Sequence, residues 1–173
     1  MAILNFLPEF KIVEINRSTG LVAGHVLAQF PLADNAGLKV THGGVDYLEN
    51  GFIVGLGANL ELAPYNPAVH AQPLLVFTEE LNTFFEGLKW YATKEDEEDE
   101  IIYPRALGLF VGDAFTTNNY AVGGASDPAY AKVVSGVLTL QDNADGDTLF
   151  AVEESTLPTN DDAYRFIYVG EVA

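Results

Sequence analysis

The stretch AKVVSGVLTLQDNADGDTLFAVEES, Ala131 to Ser155, decides how this chain is read. Two runs rich in β-branched and other apolar residues, AKVVSGVLTL (131–140) and TLFAVEES (148–155), bracket the polar loop QDNADGD (141–147). Asp145-Gly146 within that loop is the pair that supplies positive φ for a tight β turn, so the pattern reads strand, turn, strand. Working outward, the same pattern recurs in FKIVEI (10–15), LVAGHVLAQF (21–30), GFIVGLG (51–57), PLLVFT (73–78), ALGLFVG (106–112) and YRFIYVGE (164–171). Most of these blocks end in Gly, Pro, Asn, Asp or Ser clusters, which is the signature of strands and turns. NRSTG, Asn16 to Gly20, joins two of them and reads as a second hairpin. The fold class expected is all-β and mainly antiparallel, a β-barrel or β-sandwich with one short helix.

That helix is TEELNTFFEGLKWYA, in which Leu81, Phe84, Phe85, Leu88 and Tyr91 recur at helical spacing. Thr78 stands at the N-cap, with Glu79 and Glu80 in the first turn where the helix dipole favours anions. Gly87 weakens the pattern, and a turn followed by the strand LKWYAT is the alternative. KEDEEDE, Lys94 to Glu100, follows as a solvated surface loop, or else a docking arm for a basic partner. APYNPAVHAQP, Ala63 to Pro73, has three prolines and is expected to be an ordered, irregular connection.

Composition bounds the class of function. With 173 residues the chain suits one domain, here taken as residues 1–173 with residues 1–10 as an N-terminal docking arm, and folding at this length buries about 70% of the unfolded surface. Hydrophobic residues make up 49% and charged ones 19%, which argues against long disorder. The formal net charge of −17 removes the counterion-release term that drives nucleic-acid binding and repels anionic lipid. Neither nucleic acid nor membrane is expected as a partner. The absence of cysteine excludes thiolate metal sites, disulfides and cysteine nucleophiles. The opening MAILNFLPEFKIVEINRSTG lacks a basic n-region and a long apolar core, so neither a standard secretion signal nor a membrane span is expected.

The acid, amide and histidine residues offer several candidate chemistries. His25, His42 and His70 form no HxH or HExxH, so no pair is preset for zinc. Placing Gly146 at the sixth position of a calcium loop puts Gln141 first and Val152 twelfth, where carboxylates are needed, so QDNADGD reads as a turn. Asp113, Glu79, Glu80, Glu153 and Glu154 supply acids for a glycosidase, but nothing local marks a pair. GLGANLEL lacks the third glycine of a dinucleotide fingerprint, and no nucleophile elbow or phosphate loop occurs. No catalytic, cofactor or metal residues are assigned, and the chain is not expected to be an enzyme.

In VGDAFTTNN strict alternation would place Val111, Asp113, Phe115 and Thr117 on one face, so a bulge at Gly112 or a strand end near Asp113 is expected. Thr116, Thr117, Asn118 and Asn119 can bond their own backbone in Asx and ST turns. The functional version of the same residues is a hydrogen-bonding patch that meets another protein, with Tyr120 as anchor.

YPRALGLFVGDAFTTNNY (103–120) and GVLTLQDNADGDTLFAVEESTLP (136–158) resemble small structural proteins encoded in the head-gene clusters of tailed bacteriophages, the decoration, cement or minor capsid proteins. The resemblance implies a β-rich protein on the outer capsid surface of the virion, assembled in the host cytoplasm and bound to the major capsid protein as a homo-oligomer, with trimers frequent. It carries no catalytic residues and no cofactor. The contact residues expected on this reading are Asp113, Thr116, Thr117, Asn118, Asn119 and Tyr120, with Leu4, Phe6 and Phe10 in the N-terminal arm. The alternative is a tail-tip or fibre adhesin, with Trp90, Tyr91 and Tyr103 as an aromatic platform for bacterial surface carbohydrate.

Overall fold

The computed structural model describes residues 13–17, 26–27, 30, 33, 37–42, 45–48, 50–77, 105–157 and 162–170, and every structural statement below refers to them. The expected helix over Thr78–Ala92, the acidic run Lys94–Glu100, the arm residues Leu4, Phe6 and Phe10, and His25, Trp90, Tyr91 and Tyr103 lie outside this set. The strands are β1 (Val13–Arg17), β2 (Val26–Leu27), β3 (Lys39–His42), β4 (Val45–Leu48), β5 (Ile53–Leu56), β6 (Leu62–Pro64), β7 (Leu74–Val76), β8 (Ala106–Gly108), β9 (Ala114–Thr117), β10 (Tyr120–Ala121), β11 (Tyr130–Val134), β12 (Val137–Gln141), β13 (Thr148–Thr156) and β14 (Asp162–Tyr168).

They form a seven-stranded sheet ordered β1-β9-β14-β13-β11-β12-β10, a five-stranded sheet ordered β2-β8-β7-β5-β6, and the separate pair β3-β4. Pairing is antiparallel except for β10 against β12. The all-β, mainly antiparallel expectation holds for the described residues. The barrel alternative does not: each sheet runs from one edge strand to another without closing.

The core explains why two blocks read as unbroken apolar runs. In β5 and β7, Ile53 and Leu75 point into a cluster shared with Val13, Phe115, Leu138, Leu140, Phe150 and Phe166 of the seven-stranded sheet. Their neighbours Phe52, Val54, Leu74 and Val76 point the other way, into a second cluster with Leu38, Leu62 and Ala106. A sheet covered on both faces needs apolar residues at consecutive positions, whereas β12, with Leu138 and Leu140 buried and its other residues half-exposed, keeps the two-residue alternation of a half-buried strand. Phe115, Phe150 and Phe166 meet at centroid separations of 5.8–6.2 Å. Each such ring contributes about 1.5–3 kcal/mol by leaving water.

Three contacts at the entrance to β5 tie the sheets together. Asn119 Nδ2 donates to the Asn50 carbonyl at 2.8 Å. Ile53 N–H donates to the Gly136 carbonyl at 2.8 Å. Gly51, at φ +91°, is packed so closely that a Cβ would lie 2.9 Å from both Asn119 Cβ and Thr117 Oγ1.

The Asp145-Gly146 hairpin read from the sequence is placed differently. AKVVSGVLTL is two strands: Ser135 (φ 50°) and Gly136 (φ 82°) make a two-residue turn with positive φ at both positions, and Val134 pairs with Val137. The Asp145-Gly146 loop joins β12 to β13, which do not pair with each other because β11 lies between them. β1, which enters NRSTG, pairs with β9, and residues 18–25, which would complete that hairpin, lie outside the described residues. Ala63 to Pro73 is ordered and, beyond β6, irregular, as expected.

Candidate functional site

The segment expected to carry contacts begins with a turn. Asp113 N–H donates to the Phe110 carbonyl at 2.8 Å, and Gly112 at φ 93° occupies the third position, where this turn type requires a residue without Cβ strain. The Asp113 carboxylate folds back and accepts the Phe110 N–H at 2.9 Å. Strand β14 closes the turn from outside, through Gly112 N–H to the Tyr168 carbonyl at 2.8 Å and Tyr168 N–H to the Asp113 carbonyl at 2.9 Å. Asp113 is 1% exposed, so the strand end expected there is real and its carboxylate builds the turn.

Most of the hydroxyls and amides after it are likewise bonded within the chain. Thr116, 1% exposed, donates from Oγ1 to Asn16 Oδ1 at 2.8 Å, across from β9 to β1. Thr117 Oγ1 accepts the Asn119 N–H at 3.1 Å, the short-range bond that a threonine in a turn makes. Asn119 then reaches Asn50, as described above. Asn118 is half-buried. Tyr120 packs edge-on to Tyr164 at 5.1 Å; its burial, with Tyr164 and Asp162 nearby, pushes the phenol pKa up. Of the contact residues expected here, Asp113, Thr116, Thr117 and Asn119 are thus buried in the chain, and only Asn118 and Tyr120 are part-exposed.

The aspartates of the 141–148 loop are similarly engaged. Asp145 accepts Lys132 Nζ at 3.0 Å, Gln141 Nε2 at 2.6 Å and the Asp147 N–H at 3.0 Å. The hydrogen bonds from Lys132 and Gln141 hold its carboxyl at about 2. Asp142 accepts the N–H groups of Ser126 and Asp127, each at 2.9 Å, and Asp127 first and then Ser126 draw its pKa down. Among the described residues no group of three or more histidine and acidic side chains is placed to hold a metal ion. Glu153 pairs with Arg165 at 3.1 Å on the surface, and its neighbour Glu154 points to the opposite face of β13. His70 lies over Gly55, where its ring fills the space of the missing side chain, and its Nδ1 accepts the Asn66 N–H at 3.0 Å.

Two surface features remain. A groove of about 290 Å³ is lined by Gly123, Gly124, Lys132, Thr139, Gln141 and Asp142. At one end of the seven-stranded sheet the apolar side chains of Phe110, Val111 and Val169 are 36%, 72% and 39% exposed. Sequence reasoning missed this tip, because ALGLFVG reads as one buried block. The signal was Gly112: a turn ending in positive φ pushes the residue before it, Val111, outward. No family model, curated protein or solved structure matches the chain.

Proposed function

We propose that this chain is a virion structural protein of the decoration or cement type, a sandwich of two sheets that binds the major capsid protein on the outside of the shell as a homo-oligomer. The observation that carries the reading is the destination of the side chains of Asp113, Thr116 and Asn119: Asp113 builds a turn, Thr116 ties β9 to β1, and Asn119 joins the two sheets. A chain whose DAFTTNN segment stiffens its own scaffold is suited to presenting a fixed surface. Its resemblance to phage head proteins over residues 103–120 and 136–158 supports the same role. Docking then adds buried area between neighbouring capsid subunits and resists internal genome pressure.

Mass spectrometry of purified virions tests this. The chain is expected among the particle proteins in a fixed ratio to the major capsid protein, and particles lacking it sink the proposal.

A further inference from the structure

We infer that the Phe110–Asp113 turn, together with Val169, is the docking tip of this protein, and that its partner is a basic protein surface with an apolar socket. The inference rests on the structural role proposed above and names the side chains that perform it.

Single exposed valines are ordinary; a contiguous group on a stiff support is not. Val111 and Val169 come from different strand ends and are brought together by the bonds from Gly112 N–H to the Tyr168 carbonyl and from Val169 N–H to the Leu149 carbonyl at 3.0 Å. A Cβ on Gly170 would lie 3.3 Å from Val111 Cγ2, so the chain passes directly against that side chain. The turn is held from within by the Asp113 carboxylate and from outside by β14. An apolar group fixed in this way loses little freedom on binding.

The charge beside the tip selects the partner. Leu149, which receives Val169, stands two residues after the exposed Asp147, at the end of the loop that also carries the exposed Asp145. Lys132 reaches this loop and is paired with Asp145. A second copy meeting tip to tip would bring these carboxylates, and a net charge of −17, against their own kind. A surface ringed by lysine or arginine around an apolar depression gains from both parts.

Co-sedimentation with purified shells of the encoding virus, stripped of this chain, provides the test. The wild-type chain is expected to bind and to bind less tightly as salt rises. Val111→Asp, at an exposed turn position that tolerates a polar side chain, is expected to weaken binding at least ~10-fold, equivalent to about 1.4 kcal/mol. Val134→Asp serves as control, because Val134 is 48% exposed in the separate β11-β12 hairpin; it is expected to bind as the wild type does. Equal binding by Val111→Asp and wild type overturns the tip while leaving the structural role standing. A fall in the chain's own sedimentation coefficient caused by Val111→Asp shows that the occupant is a second copy, and also overturns it. Shells that do not bind the wild type at all remove the structural role and the tip with it.

Discussion

Asn119 and Asn50 are 69 residues apart in sequence, yet the side-chain amide of one donates to the backbone carbonyl of the other at 2.8 Å inside the protein. This bond joins the end of β9 in the seven-stranded sheet to the approach to β5 in the five-stranded sheet. Buried polar groups that lose a partner incur their desolvation cost in full, so the pin is worth more than its net hydrogen-bond energy.

Asn119→Ala is therefore expected to lower stability by about 1–3 kcal/mol. Gly51→Ala attacks the same junction sterically, since its Cβ would stand 2.9 Å from Asn119 Cβ at a φ of +91°. The combined overpacking and backbone strain is expected to lower stability by about 2 kcal/mol or more. Denaturant unfolding of the two variants checks both values. A loss below about 0.5 kcal/mol in each would show that the junction does not hold the sheets together.

At the β11-β12 turn the expected change has the opposite sign. Ser135 adopts φ 50° without the side-chain amide that eases this conformation in asparagine. Ser135→Asn should raise stability by about 0.5–1 kcal/mol, read as a rise in Tm. A fall in Tm would mean that the turn geometry or the contacts of Ser135 are not those described.

Acid should loosen the 141–148 loop. Asp145 is held at about 2, against an ordinary value of 3.8, by Lys132 and Gln141. Asp142 is drawn down chiefly by the Asp127 N–H. A carboxylate whose folded pKa is depressed contributes stability that is present above the unfolded pKa and lost as pH falls through the folded one. The contribution from Asp145 is thus complete above about pH 4 and disappears towards pH 2. Asp145→Asn should flatten the stability profile across that window and leave its shape near neutral pH unchanged. An identical acid limb in wild type and variant would contradict the assignment.

The fold class was legible in the short apolar blocks and the turn residues that bound them, whereas the two-face burial of the strands in PLLVFT and GFIVGLG emerged only from the packing of the sheets. Pairing was less legible, because a turn dipeptide shows where the chain reverses and not which strand it meets. Asp145-Gly146 marks a true turn, but its flanking strands are separated by β11. Ser135-Gly136 is the tight hairpin, and it was hidden inside an unbroken run of good strand residues. For the candidate site, the turn at Gly112-Asp113 could be anticipated from its glycine. The partners of Thr116 and Asn119 could not, since Asn16 and Asn50 are far away in sequence.

Reconstruction of intact particles from the native source most directly tests whether this is a shell-bound structural protein. The account predicts density for the two-sheet fold at repeated positions on the outer capsid surface, with the Phe110–Asp113 turn directed into the major capsid protein. Particles that contain the chain nowhere on the shell, or that hold it with this turn facing solvent and another surface in contact, would contradict it.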